Sequence, residues 1–350
     1  MADKMKAVRK IRSAPGLDLV MIDIPQVKPD EVLVKVEATA ICGSDLHFYN
    51  WDPYAQSRLK LPLTIGHEFA GEIVEVGNAV KNFKVGDYVT ADSHISCGYC
   101  PVCKIGLQHI CQNLKIFGNE VNGSYAEYIA VPENSLWRLN RSIPSEIGAI
   151  MEPLGGAVQA TLIEPVTAQS VVVYGDGPIG LFAVGVAAVA GASSVALVGI
   201  VDSRLEVARK MGASTVYNAL KEPEVVNKIL NETNGLGVDV VLEISGAHSA
   251  MLDAFSVVRK GGRVTLFGIS PGPIKEFDFN YNIILRQVRV RGVAGRHMWD
   301  TWQIMDGLIK TGRLDPRPVI TDELPLEDFD LGFQKLTSGS RDALKVILRP

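Results

Sequence analysis

Short apolar runs alternate with helix-like segments between residues 170 and 270, and this alternation most strongly constrains the fold. Uninterrupted apolar runs of this length predict strands that are buried on both faces, here at 170–175, 194–199, 238–246 and 263–270. Helices are predicted between them over residues 178–192, 203–213 and 250–262. Strands that alternate with helices build a doubly wound parallel sheet, so we predict an α/β fold here.

The first 150 residues are β-rich instead. Alternating apolar and polar residues predict half-buried strands at EVLVKVEATA (31–40), AGEIVEVG (70–77) and VGDYVTAD (85–92). Gly and Pro recur between these runs at short intervals, as is typical of turns between antiparallel strands. After VRVRGVAGR (288–296) we expect a helix around residues 301–311 and a C-terminal segment that returns to the first domain.

Charge and hydropathy exclude several classes of protein. The 35 basic and 39 acidic residues give a net charge of -4, which leaves no basic excess for a nucleic-acid backbone. No apolar run approaches the roughly 20 residues of a membrane span. The N-terminal MADKMKAVRKIRS is followed by no apolar segment of a signal peptide. We therefore expect a cytoplasmic protein whose partner is a small molecule, and neither a nucleic acid nor a membrane.

A glycine-rich loop joins the first predicted strand of the α/β region to its first helix. Its sequence is Gly175-Asp176-Gly177-Pro178-Ile179-Gly180. In the G-x-G-x-x-G pattern the first glycine permits a tight turn, the second admits a pyrophosphate, and the third lets helix and strand pack closely. The pyrophosphate would lie at the helix N-terminus, whose free N–H groups favour anions. The alternative is a purely structural turn between strand and helix.

The same pattern requires an acidic residue at the end of the second strand, where it binds the adenosine ribose of NAD. This chain has Gly199 there, and the next carboxylate, Asp202, comes three residues later. A glycine removes the group that would repel a 2′-phosphate, and Arg204 is close enough to attract one. These two residues favour NADP. The alternative is that Arg204 serves only the helix and that NAD binds with weaker contacts to the ribose.

Four of the five cysteines lie within 15 positions, at Cys97, Cys100, Cys103 and Cys111. In a reducing compartment such crowding indicates a metal site rather than disulfides. Four thiolates can close a tetrahedral shell around Zn²⁺, which is the structural type of zinc site. An iron–sulfur cluster is the alternative. The acidic net charge disfavours a zinc finger that binds nucleic acid.

A second metal site is indicated by residues that are dispersed in the sequence. Cys42 stands in CGSDLH, His67 and Glu68 follow in GHE, and Glu152 comes much later in EPLG. Cysteine, histidine and carboxylate are the ligand types of a catalytic zinc, which keeps one position open for water or substrate. The ordinary alternatives are a core histidine at 67 and a buried ion-pair partner at 152.

These motifs together resemble those of the zinc-dependent medium-chain alcohol dehydrogenases. The resemblance rests on ICGSDLH (41–47), GHEFAGEIVEVG (66–77), the 97–111 cysteines, EPLG (152–155) and GDGPIG (175–180), in that order along the chain. Within this superfamily, YNWDPYAQSRLKLP (49–62), QNLKIFGNEVNGSYAEY (112–128) and GRHMWDTW (295–302) are similar to the L-threonine 3-dehydrogenase family. The resemblance covers essentially the whole chain.

The resemblance implies a GroES-like, β-rich catalytic domain and a Rossmann domain. The expected boundaries are 1–156 for the catalytic domain with a structural zinc lobe at 92–115, 157–294 for the Rossmann domain, and 295–350 for the return to the catalytic domain. Catalytic zinc would be held by Cys42, His67 and either Glu68 or Glu152, whose contact changes during turnover. A homotetramer is also implied.

The resemblance further assigns roles to individual residues. Ser44 and His47 match the positions of a proton relay, and Glu152 is grouped with them as catalytic. Arg296 is a candidate for the substrate carboxylate, because guanidinium binds carboxylate bidentately, and its alternative is a structural arginine. The expected contacts to the dinucleotide are Gly175, Gly177, Pro178, Ile179, Gly180, Gly199, Arg204, Leu266, Phe267, Gly268, Val293 and Ala294.

The expected reaction is oxidation of a secondary alcohol by hydride transfer to NAD or NADP, with L-threonine converted to 2-amino-3-oxobutanoate. Gly156 departs from the threonine-enzyme pattern, in which an asparagine is usual, and polyol dehydrogenases of the sorbitol and xylitol type share Cys42, His67, Glu68 and Glu152. A polyol dehydrogenase is therefore the alternative. More distant alternatives are a non-catalytic NAD(P)-binding sensor and an interaction module built on the cysteine lobe.

Overall fold

The computed structural model describes residues 4–275 and 277–350, and all assignments refer to these residues. The strands are β1 (Lys4–Lys10), β2 (Asp18–Asp23), β3 (Glu31–Ala40), β4 (Leu63–Thr64), β5 (Glu68–Val76), β6 (Tyr88–Ala91), β7 (His94–Ile95), β8 (Lys115–Ile116), β9 (Tyr128–Pro132), β10 (Leu136–Arg138), β11 (Ser170–Tyr174), β12 (Ser194–Gly199), β13 (Thr215–Asn218), β14 (Val238–Glu243), β15 (Val258–Leu266), β16 (Arg289–Gly292), β17 (Ile320–Pro325) and β18 (Lys345–Arg349).

The α-helices are α1 (Gly43–Asn50), α2 (Pro53–Arg58), α3 (Pro101–Lys104), α4 (Ser145–Ala149), α5 (Met151–Leu162), α6 (Pro178–Val189), α7 (Asp202–Lys210), α8 (Val225–Glu232), α9 (His248–Val257), α10 (Asp300–Lys310) and α11 (Phe329–Thr337). Short 3₁₀ turns cover Gln108–Ile110, Glu133–Ser135, Arg317–Val319 and Leu326–Asp328, and a π-helical turn covers Asn280–Ile284. No helix within the described ranges is both long enough and apolar enough to cross a membrane.

The chain divides into two compact units. The first contains the chain up to Pro153, His297–Asp306 and Ile320–Pro350, and the second contains Leu154–Arg296 and Gly307–Val319. The boundary after Pro153 falls inside α5, near the expected end at residue 156, and the boundary after Arg296 lies before α10, near the expected end at residue 294. A further boundary, after Asp306, falls inside α10. Gly307–Val319 differs from the expectation, since the whole of 295–350 was assigned to the first domain. The reason is apolar packing, because a Cβ on Gly185 of α6 would lie 2.8 Å from the Leu314 side chain.

The first unit is built on a seven-stranded sheet with the order β10-β6-β5-β3-β18-β17, to which β9 adds by pairing with β3. β3 covers the same residues as the predicted strand, and its Val32, Val34 and Val36 are buried in the core with Phe69 and Ile73 of β5. β18 pairs antiparallel with β3, with Ile347 opposite Ala40. The C-terminal strand therefore lies inside this sheet, beside its longest strand.

The second unit is a Rossmann fold. Its six strands are parallel in the order β13-β12-β11-β14-β15-β16, which in strand numbers of the unit is 3-2-1-4-5-6. Such a sheet binds its ligand outside the carboxyl ends of the strands, where the strand order reverses. Here that point lies between β11 and β14, directly at the glycine-rich loop that follows Tyr174.

Two sequence predictions for this unit differ from the structure. The helix predicted over 250–262 ends at Val257, and residues 258–262 already belong to β15, because Val258 pairs with Val238 of β14. Gly261 has a φ of +70°, which is incompatible with a continuing helix. The sequence analysis also predicted no element between residues 214 and 237, where β13 and α8 lie.

Candidate active site and metal centres

Cys42 occupies the N-cap position of α1. The Asp45 carboxylate accepts the backbone N–H of Cys42 at 3.0 Å, and the Cys42 sulfur in turn receives the backbone N–H of Asp45 in a capping box. Asp45 is fully buried, and its Oδ2 also accepts the Tyr125 hydroxyl at 2.6 Å. These hydrogen bonds fix the position of the Cys42 thiol at the start of the helix. Asp45 was missed by the sequence analysis, although its place three residues after Cys42 is the capping-box signal.

His67 and Glu68 lie at the start of β5, directly after Gly66. Gly66 has a φ of +92°, and a Cβ at this residue would lie 2.2 Å from the Tyr125 ring. Only glycine suits this turn, which brings His67 and Glu68 to Cys42. The ligand atoms of Cys42, His67 and Glu68 all lie within 4.8 Å of one another. Three such donors of sulfur, nitrogen and oxygen type fit a zinc ion with a fourth position open.

The electrostatics of this cluster favour a bound cation. His67 is 7% exposed, and its Nδ1 lies 3.7 Å from Asp45 Oδ1. Burial by itself lowers the pKa of His67, but the negative charges of Cys42 and Asp45 raise that pKa well above its ordinary value. With Nδ1 facing Asp45, the Nε2 atom of His67 is the nitrogen available to a metal.

Glu152 lies near this cluster but outside the group of atoms within 4.8 Å. It is in the first turn of α5, is 7% exposed, and accepts a hydrogen bond from the Ser93 hydroxyl on Oε1. Its charge is close enough to raise the pKa values of His67 and Lys345. Of the two candidate glutamates, Glu68 belongs to the group of possible metal ligands with Cys42 and His67, and Glu152 lies beside that group.

Glu68 forms a buried ion pair with Lys345 of β18. The Lys345 Nζ lies 2.5 Å from Oε1 and 2.6 Å from Oε2, and it also donates to the Ile41 carbonyl at 3.2 Å. Burial raises the pKa of Glu68 although Lys345 lowers it, and the charge of Glu68 raises the pKa of Lys345 against the lowering by burial. Nothing local in the sequence links these residues, which are separated by 277 positions.

Ser44 and His47, the expected relay residues, lie one turn apart on α1. The His47 ring is half-exposed, and its Nδ1 lies 2.5 Å from Asp52 Oδ2. Asp52 also caps α2, since its Oδ1 accepts the backbone N–H groups of Tyr54 and Ala55. The hydrogen bond from His47 lowers the pKa of Asp52, so this carboxylate is ionised and holds the imidazole in place at the solvent boundary.

The four clustered cysteines converge as the sequence predicts. They are free thiols, and the Cys100 sulfur lies 3.4 Å from that of Cys103 and 3.8 Å from that of Cys111. Zn–S bonds of about 2.3 Å in a tetrahedron give sulfur separations of about 3.8 Å, so the cluster has the size of a zinc shell. Partial burial raises the pKa of Cys97, but N–H groups of Tyr99, Asn113 and Cys100 lower it to about 6. Its thiolate is therefore favoured.

The stretch 295–302 reaches the same unit through Trp302. This side chain is fully buried, and its Nε1 donates to Asp92 Oδ2 at 2.9 Å. The Trp302 ring packs against Trp137 and Trp299. The tryptophans of GRHMWDTW thus have a structural role beside the start of the cysteine lobe. Arg296 belongs to the second unit and is 3% exposed.

The expected dinucleotide contacts lie at the carboxyl ends of parallel strands or in the loops and first helical turns that follow them. Gly175 follows β11 with a φ of +116°, Gly177 is the N-cap of α6, and Pro178 is its first residue. A Cβ on Gly180 would lie 1.9 Å from the Gly175 carbonyl oxygen, whereas one on Gly177 would meet open space. The loop therefore has the open, N–H-lined form that suits a pyrophosphate.

Other predicted contacts lie along the same edge of the sheet. Gly199 ends β12, and Leu266 ends β15 and accepts the Val293 N–H at 3.0 Å. The Phe267 and Gly268 N–H groups donate to the Glu243 carbonyl. Sequence analysis missed Asp176, whose Cβ lies 2.6 Å from the position of a Cβ on Gly199.

Gly156 lies against Phe267 in the second unit. A Cβ on Gly156 would lie 3.0 Å from the Phe267 Cζ atom. The aromatic ring thus fills part of the space that an asparagine at this position would take. A side chain at position 156 would therefore require the Phe267 ring to shift.

Removing Lys345 should destabilise the first unit strongly. We expect Lys345→Met to lower its free energy of unfolding by about 3–5 kcal/mol, because Glu68 would remain buried without its partner. Unfolding in urea followed by tryptophan fluorescence measures this, since Trp51, Trp137, Trp299 and Trp302 all lie in this unit.

Two further variants serve as controls for this measurement. Lys345→Met combined with Glu68→Gln should recover much of the lost stability, because no buried charge remains unpaired. Lys4→Met breaks the exposed pair with Asp23 and should cost less than about 1 kcal/mol. Equal effects of Lys345→Met and Lys4→Met would show that the buried pair contributes no more than a surface pair.

Comparisons with known proteins agree with this architecture. The family model for the alcohol dehydrogenase GroES-like domain matches residues 28–141, and the model for the zinc-binding dehydrogenase matches residues 178–311. The chain is 43% identical over 350 residues to the L-threonine 3-dehydrogenase of Pyrococcus abyssi, with both chains fully covered. It is also 43% identical over 351 residues to that of Symbiobacterium thermophilum, covering 100% of this chain and 99% of the relative.

A solved structure gives the same result. A zinc-binding dehydrogenase from Sinorhizobium meliloti, determined with NADP bound, superposes with a TM-score of 0.91 and 30% identity, covering 99% of this chain and 100% of the other. The two family models, the full-length relatives and the paired cysteine–histidine–glutamate and glycine-loop sites lead to one conclusion. This chain belongs to the zinc-dependent medium-chain alcohol dehydrogenases and is an NAD(P)-dependent oxidoreductase.

Proposed function

We propose that the enzyme oxidises the secondary hydroxyl of L-threonine to give 2-amino-3-oxobutanoate. The observation that carries this proposal is the convergence of Cys42, His67 and Glu68 in a chain that is 43% identical throughout to L-threonine 3-dehydrogenases. The metal donors are consistent with zinc-dependent alcohol oxidation, and the full-length similarity supports the choice of substrate.

The protein residues prepare the site for this reaction. Zn²⁺, when bound, would lower the pKa of a substrate hydroxyl and so favour its ionised form near neutral pH. Cys42 and His67 would hold the metal together with Glu68, and Glu152 would replace Glu68 or assist it during turnover. Asp45 places its negative charge 3.7 Å from the His67 Nδ1 atom and accepts the backbone N–H of Cys42, so it supports both donors.

The proton released from the hydroxyl would pass along Ser44 and His47. The two residues lie one turn apart on α1, and His47 is half-exposed, so the imidazole can exchange a proton with solvent. Asp52 holds the His47 ring in place through a hydrogen bond at Nδ1. This arrangement supports a relay that leads from the substrate towards water.

The hydride would be accepted by a nicotinamide dinucleotide bound to the Rossmann unit. Gly175, Gly177 and Gly180 would cradle the pyrophosphate at the N-terminus of α6, with Pro178 and Ile179 beside it. Leu266, Phe267, Gly268, Val293 and Ala294 lie along the same sheet edge and would contact the rest of the cofactor. Gly199 and Arg204 favour NADP by themselves, while Asp176 adds a negative charge at the same place.

A polyol is the second candidate substrate. The observation that favours it is Gly156, which stands against Phe267 where threonine enzymes usually carry an asparagine. Arg296 favours threonine over a polyol. Its guanidinium group would bind the carboxylate of an amino acid, and sorbitol has no carboxylate.

The proposal also covers the location of the protein, its oligomeric state and the roles of its two units. We infer that the protein works in the cytoplasm, where reduced cysteines can hold the structural metal. We infer a homotetramer, which light scattering would detect as about four times the 37.9 kDa of one chain. Catalysis is assigned to the first unit and dinucleotide binding to the second.

Initial rates of reduced nicotinamide formation test the substrate. Wild-type protein should oxidise L-threonine, and Cys42→Ser or His67→Ala should lower kcat at least about a thousand-fold, since polarisation by the metal is lost. Binding of reduced dinucleotide by these variants should stay within about twofold of wild type, because the cofactor contacts lie in the other unit. Oxidation of sorbitol or xylitol with threonine inert would favour the polyol alternative.

Metal analysis tests the two zinc sites. We expect two zinc ions per wild-type chain, and one in Cys42→Ser and in Cys100→Ser, because each variant breaks one of two separate ligand sets. Cys42→Ser should retain its unfolding midpoint more closely than Cys100→Ser, since four-cysteine sites contribute directly to folding. Iron in the wild-type protein would contradict the zinc assignment of the lobe.

The role of Arg296 can be separated from a structural one. Arg296→Lys should raise KM for L-threonine about tenfold, because a lysine cannot bind the carboxylate bidentately. The kcat/KM for 2-butanol, which has no carboxylate, should change little. Equal losses for both alcohols would identify Arg296 as a structural arginine.

A further inference from the structure

A carboxylate lies at the end of β12, although the last residue of this strand is Gly199. It belongs to Asp176. A Cβ on Gly199 would lie 2.6 Å from the Asp176 Cβ and 2.7 Å from its Oδ2. No side chain can be accommodated at 199 while Asp176 keeps this position. Asp176, from the glycine-rich loop, therefore occupies the volume that the side chain of an acidic residue at the strand end would take.

Hydrogen bonds hold the Asp176 carboxylate at this strand end. Its Oδ2 accepts the backbone N–H of Ile200 at 2.6 Å and that of Val201 at 2.8 Å. Asp176 is 7% exposed, so these hydrogen bonds to its carboxylate are largely shielded from water. Rotation of the side chain away from β12 would lose both of them.

Asp202, the next carboxylate along the chain, binds residues outside β12. Its Oδ1 accepts the Asn218 side-chain amide at 2.6 Å, and its Oδ2 forms an ion pair with Lys221. Both partners belong to the segment at the end of β13, and the Asp202 side chain is 61% exposed. Asp176 is thus the buried acidic group at the end of β12.

The charges around Asp176 distinguish a ribose hydroxyl from a 2′-phosphate. Arg204 Nη1 lies 3.8 Å from Asp176 Oδ1, so its positive charge is opposed by a carboxylate. A ribose hydroxyl can donate a hydrogen bond to a carboxylate oxygen. A 2′-phosphate would bring a second anion against Asp176, and like charges in contact are strongly unfavourable.

We propose that Asp176 is the residue that recognises the adenosine ribose and that it makes this enzyme prefer NAD over NADP. The proposal rests on the proposed dinucleotide-dependent function and names the cofactor of that same site. It reverses the preference for NADP that Gly199 and Arg204 suggest by themselves, because the acidic group has been relocated from the strand end to the loop.

Equilibrium binding to the zinc-loaded enzyme tests the proposal without turnover. Titration of wild-type protein with NADH and NADPH, followed by calorimetry, should give an affinity for NADH about a hundredfold higher. Asp176→Asn keeps the shape and removes the charge, and it should reduce this ratio at least about tenfold. Gly199→Asp alone should weaken both ligands, because its side chain collides with Asp176.

A double variant tests the relocation directly and guards against a loss of folding. Asp176→Ala combined with Gly199→Asp returns the carboxylate to the strand end, and it should restore the preference for NADH. Asp202→Asn is the matched control, because this carboxylate is exposed and bound to Lys221, and it should leave the ratio unchanged.

The outcomes separate this inference from the proposed function. Three outcomes would overturn the role of Asp176 and leave the proposed reaction intact. They are equal binding of NADH and NADPH by wild-type protein, a preference for NADPH, and an unchanged ratio in Asp176→Asn. A loss of preference in Asp202→Asn would assign that role to Asp202 instead. Binding of neither ligand would overturn both the inference and the proposed dinucleotide-dependent reaction.

Discussion

The first unit is organised around a carboxylate that has no access to water. Glu68 is fully buried at the start of β5, and only a cation can make its ionised form tolerable there. Lys345 supplies one from β18, while Cys42 and His67 lie close enough to Glu68 to form a group that could hold a metal ion. The pairing of β18 with β3 therefore does more than extend the sheet, because it brings the ammonium group of Lys345 to the Glu68 carboxylate.

In the second unit the main constraint is the limited volume that is available to side chains at the end of β12. The space beside the end of β12 holds one side chain, and either residue 176 or residue 199 can provide it. A similar exchange occurs where Phe267 fills space beside Gly156. At both glycines, Gly199 and Gly156, a neighbouring side chain occupies space that a larger residue would need. The ligand preference of a binding site therefore cannot be inferred from a glycine alone. The neighbouring residue that fills the space beside the glycine must be considered as well.

Much of this organisation follows from local sequence patterns. The glycine-rich loop, the four-cysteine lobe and the β3 strand were predictable because each depends on residues close together in the chain. The length of α9 was predicted wrongly, because the pairing of Val258 with Val238 overrides the helical pattern of 250–262. The ion pair of Glu68 with Lys345 was out of reach, since its partners are brought together only by the register of β3 and β18. Asp176 was visible in the loop, but its contact with Gly199 depends on the packing of that loop against β12.

The separation of Glu68 from Lys345 has a consequence for biosynthesis. The cysteine lobe draws its four sulfurs from residues 97–111, so it can be assembled as soon as that short stretch has left the ribosome. Glu68 gains the ammonium group that pairs with it only when residue 345 has been made. In a nascent chain the residues of the cysteine cluster are therefore complete long before the partners of the Glu68–Lys345 ion pair are.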